Sequence, residues 1–217
     1  MKESIFKTVL FDMDGVVIDS EKLHLRAMGL TLEKHEIPYT QPFLNDYVGR
    51  SDESFFKYVF QNIDSRFEVE QLLEEKNVYF EGLLAELEYV EGFTEFIEFI
   101  RNKDIKIGLV TSSTLFTVRK VDELLNLVPY FEVIVTEEDT EKHKPFPDPY
   151  LLGLKMFGAD KSKTLIIEDS INGIISGKEA GCIVAGMTTS FDANRLLDAG
   201  ADFIINSYNE LQEKFNF

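Results

Sequence analysis

The sequence predicts an α/β fold: a doubly wound, Rossmann-like parallel sheet with an inserted α-helical segment. The chain opens with a short apolar strand, Thr8 to Phe11, whose β-branched and aromatic residues suit a fully buried position. From Glu91 onward, strand-like and helix-like segments alternate. Between these two regions, residues from about 19 to 88 show helical spacing and no strand pattern. Alternation of strands and helices implies parallel strands that share one carboxyl edge.

The inserted segment carries three predicted helices. Ser20 can cap the first of them, and Pro38 lies just beyond its end. Aromatic residues in the second helix favour a small separate core over a ligand-binding surface. The three helices run from Glu21 to about Glu36, from about Asp52 to Gln61, and from about Glu68 to Glu88. The sequence therefore predicts a core domain of residues 1–18 and 89–217 and a helical cap domain of residues 19–88.

The rest of the chain supplies the other strands and helices of the core. The predicted strands are Ile105 to Val110, Phe131 to Thr136, Thr164 to Glu168, Cys182 to Ala185 and Phe203 to Ile205. The predicted helices lie near Gly92 to Asn102, near Phe116 to Leu125, after the prolines Pro147 and Pro149, near Ile171 to Gly181, and from about Asn209.

Composition limits the classes of partner. The 217 residues include 39 acidic side chains against 22 Lys and Arg, a formal net charge of −17. This charge repels nucleic acid and anionic membranes, so neither is an expected partner. No apolar run has the length of a membrane span, and the single cysteine, Cys182, allows no intrachain disulfide. We expect a cytoplasmic protein that is a monomer rather than an obligate oligomer.

Two acids follow the first strand, one residue apart. Asp12 and Asp14 fall just past the carboxyl end of that strand, and Gly15 then lets the chain turn. Ligands of open parallel sheets bind outside the carboxyl ends of the strands, so both acids are placed for chemistry. An ordinary turn is the alternative, since Asp and Gly are favoured turn residues.

Hydroxyl groups and a lysine follow the next strands. Thr111, Ser112 and Ser113 come directly after a strand, and their hydroxyl and backbone N–H groups suit an anionic substrate. Lys144 lies in a loop that prolines stiffen, between the following strand and its helix. Simple helix capping and a solvated lysine are the alternatives for these residues.

A second acidic pair, Glu168 and Asp169, ends the fourth strand, where hard oxygen ligands suit Mg²⁺. Solvated turn acids are the alternative. Together, however, two acidic pairs, a hydroxyl cluster and one lysine at the same sheet edge predict a phosphoryl-transfer site. A carboxylate can attack phosphorus to form an aspartyl phosphate. The metal and the lysine would neutralise charge on the transferring group, while hydroxyl and N–H groups hold its oxygens.

Four segments together resemble the haloacid dehalogenase superfamily, specifically its phosphatases and β-phosphoglucomutase-like members with a helical cap. The segments are FDMDGVVIDS, VTSS, HKPFPDPY and IIEDSINGI. The resemblance covers essentially the whole chain, and the four segments are specific in combination. It implies that Asp12 is the nucleophile and Asp14 the general acid and base. It also implies that Thr111 is the phosphate-binding hydroxyl and Lys144 the charge-stabilising lysine.

The same resemblance implies a Mg²⁺ site. Asp12, the backbone carbonyl of Asp14, and Asp169 would hold the ion, with Glu168 either a ligand or an acceptor behind the ligands. Asp14 also argues against dehalogenation, because dehalogenases of this superfamily lack the second aspartate of the first segment.

Three residues of the predicted cap are candidate substrate-binding residues by this resemblance. His24, Arg50 and Lys76 fall where the β-phosphoglucomutases carry a histidine, an arginine and a lysine. Ordinary helix or solvated residues are the alternatives. Leu115 departs from the mutase pattern, which has a sugar-contacting polar residue at that position.

The sequence therefore predicts a Mg²⁺-dependent phosphatase. Its substrate would be a small phosphorylated metabolite, sugar-phosphate-like, hydrolysed through an aspartyl phosphate. A β-phosphoglucomutase is the first rival. A non-catalytic module that binds a phosphorylated metabolite is the second, and the presence of both Asp12 and Asp14 argues against it.

Overall fold

Six parallel strands form the sheet. The computed structural model describes residues 5–48 and 51–215. The strands are β1 (Thr8–Phe11), β2 (Lys106–Val110), β3 (Val133–Val135), β4 (Thr164–Glu168), β5 (Ile183–Met187) and β6 (Phe203–Ile205). They lie in the order β3-β2-β1-β4-β5-β6, and every neighbouring pair is parallel. In this doubly wound order the ligand crevice lies where the strand order reverses, here between β1 and β4. The predicted fold class is confirmed.

The sheet belongs to the larger of two compact units, which takes Met1–Ile18 and Glu88–Phe217. Its helices are α5 (Phe93–Arg101), α6 (Leu115–Leu125), α7 (Asp148–Phe157), α8 (Ile171–Glu179), α9 (Ala193–Asp198) and α10 (Tyr208–Lys214). All five residues of β4 are buried, as expected for a strand with both faces covered. Leu10, Val110, Ile166 and Val184 contribute fully buried side chains to one core cluster.

The second unit, Asp19–Leu87, is helical. It contains α1 (Glu21–Lys34), α2 (Gln41–Asn45), α3 (Asp52–Asn62) and α4 (Val69–Leu83). Phe55 and Phe56 of α3 pack with Leu32 and Leu72 in a separate buried cluster, so the aromatic residues of this segment form a core, as predicted. Among the described residues, no helix has both the length and the apolar character needed to cross a membrane.

Several boundaries differ from the sequence-based prediction. Strand β5 continues to Met187, two residues past the predicted end, because Met187 still pairs with Ile205 of β6. Helix α4 ends at Leu83, and a single 3₁₀ turn, Leu84–Glu86, follows it. Strand β3 is limited to Val133–Val135.

Helices α2 and α9 are absent from the prediction. They have five and six residues, too few turns to show an apolar stripe in the sequence. Their start signals are present locally. Thr40 caps α2 by accepting from the Phe43 N–H, and Asp192 caps α9 by accepting from the N–H groups of Asn194 and Arg195.

Candidate active site

The loop after β1 carries the first acid into the crevice between β1 and β4. The Asp12 N–H donates to the Ile167 carbonyl of β4 at 3.0 Å, which continues the sheet pairing past the end of β1. Gly15 has φ 71°, and its N–H donates to the Ile18 carbonyl at 2.8 Å. A Cβ on Gly15 would lie 1.8 Å from Oδ2 of Asp169. Glycine is therefore needed here both for the turn and for the close approach of Asp169.

Lys144 lies at the centre of the site. Its Nζ donates to Oδ1 of Asp12 at 2.5 Å, to Oε1 of Glu168 at 2.6 Å and to the Val110 carbonyl at 2.9 Å. The side chain is only 4% exposed. Burial alone would lower the pKa of this ammonium group, but the two carboxylates outweigh burial and raise the pKa above its ordinary value. The lysine predicted to stabilise charge on the transferring group thus lies against Asp12, and its catalytic role stays a prediction.

Glu168 is fully buried, and both of its carboxylate oxygens are engaged. Oε1 accepts from Lys144 and from the Tyr150 hydroxyl, the latter at 2.8 Å. Oε2 accepts from the backbone N–H and the hydroxyl of Ser170, at 3.2 and 2.9 Å. Tyr150 lies within the predicted lysine loop segment, but nothing in the sequence pattern indicated this contact.

Two hydroxyl residues that follow β5 hold Asp169. Both Ser190 and Thr189 contact Oδ2 of Asp169, Thr189 at 3.2 Å. Neither residue was predicted. The signal was available, since both come just after a strand end, but the predicted end of β5 at Ala185 lay too early to reveal it.

Three carboxylates form a cluster that can hold a cation. One oxygen from each of Asp12, Glu168 and Asp169 lies within 4.8 Å of the others. Burial raises the pKa of Asp12 to about 8, even though Lys144 lowers it, and burial raises the pKa of Asp169 well above its ordinary value. Three buried carboxylates with one ammonium group leave an excess of negative charge when all are ionised. An all-oxygen donor set with this charge fits a hard divalent cation.

The second acid and the hydroxyl cluster also meet in this unit. The Ser113 hydroxyl donates to Oδ2 of Asp14 at 3.0 Å. The Ser113 N–H donates to Oγ1 of Thr111 at 2.9 Å, and Thr111 is 2% exposed. Ser112 is exposed. The loop after β2 thus ties a hydroxyl group directly to Asp14.

The candidate cap residues lie in the helical unit. Lys76 is 1% exposed, and its Nζ lies 2.5 Å from Oδ2 of Asp52 and 2.6 Å from Nδ1 of His24. The His24 ring stacks on Phe80 with centroids 4.1 Å apart. Arg50 lies outside the described residues. A substrate-binding role for these three residues stays a prediction, and the Lys76 charge already has a carboxylate partner.

A comparison with protein-family models identifies the chain. Residues 9–187 match the model of the haloacid dehalogenase-like hydrolases. The chain belongs to this family. The family resemblance found in the four sequence segments is therefore confirmed, and the protein is a hydrolase of the haloacid dehalogenase type.

Relatives of this haloacid dehalogenase-like hydrolase are named for phosphate chemistry. The chain is 30% identical to the pyrophosphatase PpaX of Bacillus pumilus over 214 residues, 97% of each chain. It is 31% identical to a phosphorylated carbohydrates phosphatase of Thermotoga maritima, over 90% of this chain and 92% of the relative. A solved structure from T. maritima, provisionally named a β-phosphoglucomutase, is 28% identical, covers 96% of this chain and 99% of its own, and gives a TM-score of 0.80.

Proposed function

We propose that this hydrolase is a Mg²⁺-dependent phosphatase that transfers the phosphoryl group of a small metabolite first to Asp12 and then to water. The contact between Lys144 Nζ and Asp12 Oδ1, 2.5 Å, is the observation that carries the proposal. Among the described residues, it brings the ammonium group of Lys144 to the carboxylate that follows β1, at the crevice of the sheet. A nucleophile and a charge-neutralising group are then held together before the substrate binds.

In the first step a carboxylate oxygen of Asp12 attacks phosphorus. The bond between phosphorus and the ester oxygen breaks, and the electron pair leaves with that oxygen. Asp14, in its acid form, donates a proton to the leaving oxygen, so an alcohol departs. The Ser113 hydroxyl, 3.0 Å from Asp14, fixes the direction of that carboxyl group.

In the second step Asp14 acts as a base. Its carboxylate takes a proton from water, and the hydroxyl oxygen attacks phosphorus of the aspartyl phosphate. The bond between phosphorus and Asp12 breaks, which releases phosphate and restores both carboxyl groups. Thr111 and Lys144 supply a hydroxyl and an ammonium group to the oxygens of the transferring group in both steps.

Asp12 and Asp169 are the proposed side-chain ligands of Mg²⁺, together with the carbonyl of Asp14. Lys144 occupies Oδ1 of Asp12, and the hydroxyls of Thr189 and Ser190 occupy Oδ2 of Asp169, so each carboxylate keeps its other oxygen for the ion. Glu168 already accepts four hydrogen bonds, so in this proposal it does not bind the ion and instead holds Lys144 beside Asp12. When bound, the ion withdraws charge from the phosphoryl oxygens.

Phosphatase action is favoured over mutase action by the state of Lys76. A mutase holds a second phosphate on its substrate, which calls for free positive charge in the helical unit. Of the two candidate cations, Arg50 lies outside the described residues, and Lys76 is buried and paired with Asp52 at 2.5 Å, so the charge of Lys76 is already balanced. The provisionally named β-phosphoglucomutase among the similar structures is the observation that keeps the mutase as second candidate.

A paired assay tests the proposal. Phosphate release from p-nitrophenyl phosphate is measured with Mg²⁺ and with EDTA, followed by a panel that includes sugar phosphates and pyrophosphate, the chemistries named for the two relatives. Conversion of β-glucose 1-phosphate to glucose 6-phosphate is measured in parallel, with the bisphosphate activator. We expect metal-dependent phosphate release. Isomerisation without release would establish the mutase, and no metal-dependent turnover of any ester would favour a binding module.

Asp169→Ala is expected to raise the Mg²⁺ concentration that gives half-maximal activity, because it removes a hard oxygen ligand from a cation that keeps much of its water. Excess Mg²⁺ should restore part of the rate. A Mg²⁺ titration of phosphate release measures this. Asp198→Ala is the matched control, since Asp198 is exposed at the end of α9. Unchanged Mg²⁺ dependence in Asp169→Ala would make the residue purely structural.

Mg²⁺ affinity is expected to rise with pH. Burial raises the pKa of Asp12 from 3.8 to about 8, so the folded, metal-free protein holds a proton there that the ion must displace. Burial also raises the pKa of Asp169, the other proposed ligand, so its proton must be displaced as well. The affinity should therefore fall by about tenfold or more for each pH unit below about 8. Calorimetric titration with Mg²⁺ at about pH 6, 7 and 8 checks the slope. Asp12→Asn should make the slope shallower, because residue 12 then has no proton to lose, and a wild-type affinity that ignores pH would contradict the assignment.

A further inference from the structure

Tyr150 contacts Lys144 through its ring and shares a hydrogen-bond acceptor, Glu168, with it. The residue is fully buried, and its ring centroid lies 4.8 Å from Nζ of Lys144. Its hydroxyl donates to Oε1 of Glu168 at 2.8 Å, the same oxygen that accepts from Lys144 at 2.6 Å. Lysine and tyrosine thus share one carboxylate oxygen, and the aromatic face lies against the ammonium group.

The ammonium group of Lys144 has a hydrogen-bond acceptor for each of its donors. It has three N–H donors, and it has three acceptors: Asp12 Oδ1, Glu168 Oε1 and the Val110 carbonyl. Val110 pairs with Val135 of β3, and the Asp12 N–H donates to the Ile167 carbonyl, so the backbone of both residues is fixed by the sheet. The position of Nζ therefore depends on what fixes the carboxylate of Glu168.

Glu168 is fixed from two directions. Ser170, the N-cap residue of α8, donates to Oε2, and its hydroxyl accepts from the Gly173 N–H at 3.0 Å. A Cβ on Gly173 would lie 1.7 Å from Oε1, so glycine leaves room for the carboxylate at the start of α8. These contacts hold Oε2. On Oε1, the hydroxyl of Tyr150 is the donor that comes from a rigid helix.

Tyr150 is well placed to act as a fixed support. It lies in the first turn of α7, which directly follows the loop of Lys144. That loop is itself tied to α8, because the Ser176 hydroxyl donates to the Phe146 carbonyl at 2.6 Å. Lysine, in contrast, has a long flexible stem that loses rotamer entropy when it is fixed.

We propose that Tyr150 is a positioning residue: it holds Lys144 Nζ at Asp12 through the Glu168 oxygen that both share and through its ring face. This inference rests on the proposed phosphatase function. Charge stabilisation by Lys144 depends on a group that is already in place when the transition state forms. Removing the hydroxyl leaves Oε1 of Glu168 with one donor and frees the carboxylate to rotate, which loosens the lysine. The loss should affect the transition state more than substrate binding.

Tyr150→Phe tests the proposal, because it keeps the ring and removes only the hydroxyl. The matched control is Tyr208→Phe. Tyr208 is equally buried, and its hydroxyl donates to the Val16 carbonyl at 2.7 Å, outside the Lys144 contacts. With p-nitrophenyl phosphate and saturating Mg²⁺, we expect Tyr150→Phe to lower kcat about tenfold, the lower end of the range for groups that orient a site residue. KM should stay within about twofold of wild type.

Two further readouts separate positioning from general destabilisation. Inhibition by vanadate, which imitates the five-coordinate phosphorus, should weaken in proportion to kcat, while inhibition by inorganic phosphate should change little. Thermal denaturation should show a similar loss of stability in Tyr150→Phe and Tyr208→Phe. Tyr150→Leu, which also removes the ring, should lower kcat further, toward about a hundredfold.

The inference is overturned if kcat of Tyr150→Phe equals that of wild type, or if Tyr208→Phe loses as much kcat as Tyr150→Phe. A loss in KM alone would also overturn it, because Tyr150 would then act on binding. Failure of the proposed function itself has a different signature: the wild-type protein would release no phosphate from any ester. That result would remove the reaction and, with it, the role of Tyr150.

Discussion

Asp12→Asn is expected to lower kcat for phosphate release by about 10⁴-fold or more, the scale of losing a covalent nucleophile. An amide is a poor nucleophile toward phosphorus and cannot form the aspartyl phosphate. It also removes one of the proposed ligands of Mg²⁺. The amide oxygen can still accept from Lys144, and the backbone contact of residue 12 with Ile167 does not involve the side chain, so the fold should persist.

The stability of this variant provides an independent check on its loss of activity. Because burial raises the pKa of Asp12 to about 8, ionisation of Asp12 opposes folding of the metal-free protein, and stability is lost as pH rises through about 8. An amide does not ionise, so metal-free Asp12→Asn should unfold at a higher temperature than wild type at alkaline pH.

Asp104→Asn is the control for the same chemical change at an exposed residue just before β2, and it should leave kcat unchanged. Intact-mass measurement after an acid quench should detect phosphorylated wild-type protein and none of Asp12→Asn. Near-normal turnover by Asp12→Asn would rule out this nucleophile.

The parts of the site that follow strand ends were predictable from the sequence. Asp12, Thr111 and Glu168 each come at or just after the end of a strand with a clear apolar pattern, and parallel pairing brings such ends to one edge. Lys144 was predicted from its place in the proline-stiffened loop after β3, and its charge-stabilising role from the family resemblance. The structure places its Nζ against both Asp12 and Glu168, contacts that join residues far apart in the chain.

The supporting contacts were not predictable in the same way. Thr189 and Ser190 were missed because the pairing of Met187 with Ile205 extends β5, and pairing between strands leaves no mark in the local pattern. The contact of Tyr150 with Glu168 depends on how α7 packs against β2, β3 and α8. The local sequence pattern does not predict which polar atom the Tyr150 hydroxyl reaches.

Lys144→Met is expected to lower kcat by about 10² to 10³-fold, the range for removing one preorganised charge-stabilising group. Methionine keeps much of the apolar stem but provides no N–H donor. Asp12 and Glu168 would then face each other across the site with the cation gone. Breaking a buried ion pair by removal of one partner typically costs about 3–5 kcal/mol of unfolding free energy, so we expect a loss of this order in the metal-free protein.

The pH dependence of that loss has a defined sign. Burial raises the pKa of Asp12 and the ammonium group of Lys144 opposes that effect, so its removal raises the pKa further. A raised pKa means that the protonated carboxyl group is the form compatible with folding, and stability is lost as pH rises toward the folded pKa. Below about pH 8 the Asp12 carboxyl is protonated in both folded proteins, so its contribution to the deficit of Lys144→Met relative to wild type should be constant there and should grow only above about pH 8.

Urea unfolding of metal-free protein across that pH range measures this deficit. Lys142→Met is the matched control: Lys142 is exposed, lies two residues earlier in the same loop, and its Nζ lies 5.5 Å from the centroid of the Phe146 ring. It should match wild type in both stability and kcat. If Lys144→Met lost stability equally at all pH values, the interaction between Lys144 and ionised Asp12 would contribute nothing to folding, and loss of packing would explain the effect.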